Sequence, residues 1–288
     1  MSTVRIPPLF AQLVDDTSLL LPRPTAPAMG QVVARYLEAR GSDYGGLTGQ
    51  LVCPVSRLSE LVTELVKAGP KEPVDVSLVV DTGLGAVPKA LSLALSRDLL
   101  LTPRTVETAA PPDVDPIWLE RVSEFVPEDV LPVVEPRRPL NGDAEDTAVW
   151  LDAVRRVAEH GCTPKLRCGG PRPSDVPTED QIAEFLIAAD SAPEGFTTSL
   201  GLTSVSRRED PETGLVEHGL LNMLVAVARA LVNGDVQSAL RETNADALAK
   251  ELGKLSEAAG GAVRGLLARC GRGPEPAPGA ELAGLGLL

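Results

Sequence analysis

Lys165 and Arg167 stand two residues apart in a short apolar stretch, Thr163 to Cys168. In an extended strand, residues two apart share a face, so both cations point one way and Leu166 and Cys168 the other. Leu166 and Cys168 suit a covering layer of helices. The opposite face then turns two cations into an interior where an unpaired charge is costly. They need carboxylate partners or an anionic ligand. Asp81, Glu107 and Glu135 lie at or near the ends of other apolar runs, and Glu135, on the preceding strand, is placed to reach the cations. A lysine beside a carboxylate can act as base, as Schiff-base nucleophile or as a stabiliser of developing negative charge. An arginine orients a substrate carboxylate or phosphate. Charged clusters at strand ends favour a functional site over a purely structural ion pair. Lys165, Glu135 and Glu107 are therefore the catalytic candidates, and Arg167 the anion-holding one.

Further residues extend this site. Gly169-Gly170 either presents backbone N–H groups to an anion or makes a tight turn into Pro171. Cys270-Gly271-Arg272-Gly273 offers a second such cradle, although a linker is the simpler reading. His218 and Asn222 are four apart, hence on one helical face, suited to hold a ligand or a neighbouring loop. Arg207, Arg208 and Glu209 fall in a long loop where a lid or a solvated segment would lie. Asp15 and Asp16, before the apolar run Leu19–Pro22, either cap a turn or cover one mouth of the barrel and place a carboxylate over the site, capping being the simpler reading. A weaker alternative gives Asp81, Glu107 and Glu135 to a divalent cation through oxygen ligands. With two histidines and four widely spaced cysteines, zinc is not expected, and no metal or cofactor is assigned.

The elements that carry these residues follow a strand-then-helix rhythm. Strands are expected at 47–54, 74–81, the later part of 99–109, 130–135, 163–168 and 195–202. Helices are expected at 56–67, 86–96, from 115, at 144–160, from 178 and at 220–232. Asp115-Pro116 makes a good helix start, and Thr178 with Gln181 has capping-box spacing. A helix at 245–259 and a late strand at 263–270 follow with weaker patterning. Six or more βα units imply a parallel sheet, closed as a (βα)8-like barrel with irregular last units. An open doubly wound sheet is the alternative, but no Gly-rich dinucleotide fingerprint follows the first strand. One barrel domain then spans 1–288, with 1–46 as a covering segment and 271–288 as a Pro/Gly-rich linker plus an apolar docking tail.

Composition removes several function classes. The 288 residues carry 27 Lys+Arg against 40 Asp+Glu, a net charge of −13, and only 3% are aromatic. A phosphate-backbone footprint needs clustered cations, and single strands need stacking platforms, so nucleic acid is not an expected partner. Met1–Ala11 has no long apolar stretch, and 220–232 is too short to span a bilayer, so neither a secretory signal nor a membrane partner is expected. A reduced, cytoplasmic protein acting on a small anionic metabolite is the reading. The apolar tail leaves room for a homo-oligomer or a partner protein. Carbanion or enolate chemistry of the lyase or isomerase type suits the lysine–carboxylate–arginine set. A non-catalytic barrel, serving as partner subunit or ligand-binding protein, is the alternative.

Several segments together carry a resemblance: LVDDTSLLLPRPTAPAM (13–29), GQLVCPVSRLSEL (49–61), KLRCGG (165–170), GFTTSLGL (195–202), HGLLN (218–222) and EPAPGAELAGLGLL (275–288). The chain resembles a bacterial, mainly actinobacterial, family of TIM-barrel-like proteins with no settled activity. That resemblance implies the barrel fold. The family pattern in strand six, F-K-A-T-A-G-L-H, has a lysine and a histidine where this chain has Thr197 and Thr203. The family's N-terminal F-P-P appears here as Leu20-Leu21-Pro22. The departures leave Lys165 as the interior lysine and imply a changed substrate or lost catalysis.

Overall fold

Eight parallel strands close on themselves in a computed structural model that describes residues 4–21, 27–140, 142–170, 172–211, 214–273 and 277–288. In chain order the barrel strands are β1 (Val14–Asp16), β2 (Thr48–Pro54), β3 (Val74–Val79), β4 (Leu101–Ala109), β5 (Leu131–Glu135), β6 (Thr163–Arg167) and β7 (Phe196–Ser199). A two-stranded hairpin, β8 (Arg208–Glu209) and β9 (Val216–Glu217), interrupts the series, and β10 (Leu267–Arg272) closes the ring between β7 and β1. Among the described residues the helices are α1 (Met29–Gly41), α2 (Leu58–Ala68), α3 (Val87–Leu95), α4 (Pro116–Glu124), α5 (Ala144–Glu159), α6 (Glu179–Ala189), α7 (Leu220–Ala230), α8 (Val236–Arg241), α9 (Ala245–Leu252), α10 (Glu257–Leu266) and α11 (Gly279–Gly284). The closed barrel is thus the fold, and the open sheet is not. None of the described helices is long and apolar enough to cross a membrane.

Local chemistry explains where the helices start. Asp115 caps α4, its side chain accepting from Trp118 N at 2.8 Å. Thr178 and Gln181 form the reciprocal capping box of α6, Thr178 Oγ1 accepting from Gln181 N and Gln181 Oε1 from Thr178 N.

Three expectations need correction. Residues 14–16 and 29–41 are not a cover: they are β1 and α1, the first βα unit of the ring. Asp15 and Asp16 are strand residues, and a three-residue strand is too short to show an alternation. The last strand lies at 267–272, not 263–270, so Cys270-Gly271-Arg272 is barrel wall rather than a linker or a loop cradle. The stretch expected as one helix at 245–259 is α9 and the start of α10. Residues 274–276 of the expected linker lie outside the described residues. The tail does dock: Leu282 is buried, and Leu285, Leu287 and Leu288 pack against the large apolar cluster built from α6, α7 and β7.

That cluster and a second one form the layer between strands and helices. Leu51, Cys53, Val76, Leu78 and Val106 face Tyr36, Leu61 and Leu91. Leu166, Phe196 and Cys270 face Phe185, Leu224 and Val263. The barrel interior is different. Buried Val52 and Val133 belong to none of the apolar clusters, and their inward neighbours are Gln50, Ser77, Thr105, Glu107, Lys165, Thr197 and Ser199. Branched aliphatic side chains normally fill such an interior. Here polar and charged ones do.

Candidate functional site

Strand register assembles the site. Lys165 sits beside Thr197 on β7, and Arg167 beside Ser199, all four facing inward. On β4 the register against β3 slips at Arg104, so Thr105 and Glu107 turn inward although Leu101 and Val106 both face the helices. Lys165 donates to Glu107 Oε2 two strands away, and the pair is almost fully enclosed, at 6% and 9% side-chain exposure. Ser77 Oγ donates to the other oxygen of Glu107 at 2.6 Å. Glu135 does not take Lys165; it accepts from Arg167 Nε at 2.8 Å, nearer the rim, where Arg167 is 48% exposed.

Below this pair a polar network continues. Thr105 Oγ1 donates to Gln50 Oε1 at 2.9 Å, and the Gln50 backbone N–H donates to Asp15 Oδ1 at 2.6 Å. Gly49 permits this, since a Cβ there would lie 2.2 Å from Asp15 Oδ1. Burial pushes the Asp15 carboxyl up to about 6, and nearby Arg269 only partly offsets it. Among the described residues, Gln50 Nε2 and the hydroxyls of Thr163, Thr197 and Ser199 are buried without a hydrogen-bond partner. Such groups are normally satisfied by water or ligand.

Two cavities open at the C-terminal mouth. One, about 430 Å³, is lined by Lys165, Arg167, Gly169, Gly170 and the β5–α5 arginines; the other, about 230 Å³, by Glu107, Lys165, Ser199 and Asp81. Both share Leu20, Glu135, Lys165, Arg167 and Leu200. The expected catalytic set, Lys165, Glu107 and Glu135, is therefore brought together with Arg167. The two glycines line the larger cavity for a packing reason. A Cβ on Gly169 would lie 2.8 Å from Gly201 Cα, and one on Gly170 would lie 2.6 Å from Asp175 Oδ2.

His218 and Asn222 do not line either cavity. Asn222 Oδ1 accepts from the backbone N–H groups of Arg207 and Gly219, and Nδ2 donates to the carbonyls of Ala239 and Glu242. His218 Nε2 meets the Pro177 carbonyl at 2.9 Å, which can only accept, so the proton sits on Nε2 and Nδ1 faces Arg207. Burial holds this histidine below its ordinary value. Both residues bind a neighbouring loop, one of their two expected roles. Arg207 itself is tied to Glu179, and Arg208–Glu209 pairs antiparallel with β9. Thr203 donates to Glu217 at 2.7 Å, away from both cavities, whereas Thr197 lies directly beside Lys165.

The cation alternative meets a different arrangement. Asp81 accepts from Ser56, Glu107 from Ser77 and Lys165, and Glu135 from Arg167. No three described His, Cys, Asp or Glu side chains converge as a metal-ligand group. All four cysteines are unpaired and buried, and burial raises each thiol, Cys53 and Cys270 to about 12.

Sequence reasoning missed Gln50, Ser77, Thr105, Arg138 and Arg172, and favoured a turn cap for Asp15. Period-two polarity within strands was the available signal, as in Thr105-x-Glu107, Thr163-x-Lys165-x-Arg167 and Thr197-x-Ser199. A strand covered by helices outside and closed inside should be apolar on both faces. The chain matches no family model and no curated protein.

Proposed function

We propose that this barrel is an enzyme moving a proton at a carbon next to a carbonyl in a small anionic metabolite, chemistry of the lyase or isomerase type. One observation carries the reading: a lysine and a glutamate, both buried and hydrogen-bonded, form the floor of a mouth cavity that an arginine overlooks. Isolating that pair from water is costly even when the two charges meet, and its place under an open cavity favours a functional role over a purely structural one. Glu107 takes the proton from carbon, and the Lys165 ammonium stabilises the enolate oxygen that develops. Ser77, donating to the far oxygen of Glu107, fixes the carboxylate plane. Arg167 orients the substrate anion at the rim, and Glu135 holds the guanidinium and offers a second acid/base. Placement of these groups at the C-terminal end of the strands agrees with where barrel enzymes act, a fold-level analogy.

The test is deuterium incorporation, followed by proton NMR in D₂O, across a panel of 2-oxo acids and phosphorylated ketones. The intact chain should exchange at least one substrate, and Lys165→Met or Glu107→Gln should remove exchange while an anion still raises the melting temperature. Borohydride trapping of a lysine adduct would replace the electrostatic role of Lys165 by a Schiff base. Equal exchange in the Lys165→Met variant would overturn the reading. A second reading, a binding barrel without catalysis, is favoured by the internal pairing of Glu107 and Glu135 with the chain's own cations. Anion-stabilised folding with no exchange anywhere in the panel would select it.

A further inference from the structure

The larger mouth cavity carries a charge opposite to that of the protein. Arg137, Arg138, Lys165, Arg167 and Arg172 line it, against Glu135 and Asp175. That is a surplus of three positive charges in a chain whose net charge is −13. Each carboxylate is already engaged: Glu135 with Arg167, and Asp175 with the Arg172 guanidinium at 2.8 Å and with its backbone N–H at 2.9 Å. Arg137 and Arg138 have no ion-pair partner among the described residues.

Arg138 is the informative one, because it is half-buried and its hydrogen bonds all go to neutral groups, with Asp175 acting on it only through space. Its Nη1 donates to Gln181 Oε1 at 2.8 Å and to the Pro139 carbonyl at 3.2 Å, and Nη2 donates to the Ser174 carbonyl at 2.6 Å. Gln181 is in turn fixed by the α6 capping box. All these acceptors are neutral. Among the described residues the Nε–H is buried with no partner, and one Nη2 hydrogen is unspent. Burial lowers the affinity of this guanidinium for its proton, and nearby Asp175 only partly offsets it. A half-buried cation held by neutral groups, with donors to spare, is stabilised by an anion.

The smaller cavity has the complementary character. It contains the Lys165–Glu107 pair together with Asp81 and Ser199, and meets the larger one at Lys165, Arg167 and Glu135. We infer that the mouth is bipartite: the lobe of Arg138, Arg172 and Arg137 binds the phosphate-type dianionic head of a ligand whose other end lies over Lys165 and Glu107. This rests on the proton-transfer reading only for the second half of the statement; the head site stands on the arginine lobe alone. A tetrahedral dianion fits better than a planar carboxylate, because the three arginines come from two different loops, β5–α5 and β6–α6. Asp175 sets the Arg172 arm, and the absent side chain of Gly170 makes room for it.

Inorganic phosphate is the probe, titrated into the full chain by calorimetry and by 31P NMR, with acetate as the monovalent comparison. Phosphate should bind more tightly than acetate, and binding should weaken as salt rises. Arg138→Met should reduce phosphate affinity about tenfold, a loss typical of one charge-assisted contact. Arg172→Gln, at an exposed position where folding is safe, should reduce it by a smaller factor, and Lys165→Met by less than either. Unchanged affinity in both arginine variants overturns the proposal, as does a loss confined to Lys165→Met, which would put the anion on the floor. Phosphate binding in the intact chain no tighter than acetate overturns it as well. Phosphate binding of the expected pattern without deuterium exchange would leave the head site standing and remove the proton-transfer reading. Exchange on unphosphorylated 2-oxo acids alone, with no phosphate binding, would do the reverse.

Discussion

The two buried faces of the one barrel are built to opposite specifications. Outside the strands, Phe185 stacks on Trp150 at 5.8 Å between ring centroids and meets Phe196 edge-on at 5.3 Å, within a large cluster of apolar side chains. Inside, Glu107, Lys165, Gln50 and Asp15 are as deeply buried but polar. The outer face gains stability from burial of area, which is non-directional and tolerant of detail. The inner face gains little net stability and depends on each partner being present. A barrel that only needed to fold would fill its interior as it fills its exterior. This one keeps charge where charge is costly, at the end of the strands where a mouth opens.

The sharpest way to break that contrast is to remove one residue from each face. Phe185→Ala should cost about 3–5 kcal/mol in chemical unfolding, by lost burial and a residual cavity, and leave phosphate binding intact. Lys165→Met should cost a comparable amount, about 3–5 kcal/mol, because Glu107 is left as an uncompensated buried charge. The faces part in the next step. Lys165→Met combined with Glu107→Met should recover part of the loss, whereas no second apolar change should rescue Phe185→Ala. Additive losses in the Lys165/Glu107 cycle would mean that the inner face behaves like the outer one.

Asp15 gives the smallest expected effect and the one that depends on pH. The folded chain keeps its proton up to about pH 6, while the unfolded chain releases it near 3.8. Between those values the native state binds more protons, so the Asp15 contribution to stability falls as pH rises through the window. Above pH 6 the cost of ionising a buried carboxyl is fully present, and below 3.8 it is absent. Asp15→Asn keeps an acceptor for the Gln50 backbone N–H and removes the charge. It should stabilise the protein by about 1–3 kcal/mol above pH 6, with the gain shrinking to nothing by pH 3.8. A gain independent of pH from melts across that range would show that Asp15 does not titrate in the folded state.

Much of the outer face was legible in the sequence. The helical stripes at 56–67 and 144–160, the all-round apolar helix at 220–232 and the two caps at Asp115 and Thr178 are local signals, and their alternation with apolar strands gave the α/β barrel. Alternation at Lys165-Leu166-Arg167 correctly turned both cations inward, because that strand runs in register. β1 escaped because three residues cannot show a period, and its helix was hidden in the same segment. β10 shifted because Leu267 and Cys270 both face the helices although they are three apart, and the register slips between Leu267 and Arg269.

What the sequence determined by itself is the class of fold and the face on which Lys165 and Arg167 lie, since both follow from periodicity and local caps. What only the tertiary structure decided is who meets whom. Glu107 and Lys165 are 58 positions apart in the chain, and their pairing depends on ring closure and on a one-residue slip at Arg104 that no local pattern encodes. Arg138 and Arg172 join the same cavity for a like reason: two loops are brought together by adjacent strands, and Gly170 lets Asp175 hold the second arginine in place. Periodicity is written along the chain. Partnership between charges is a property of the closed barrel, because it depends on distances across the ring that exist only once all eight strands are paired.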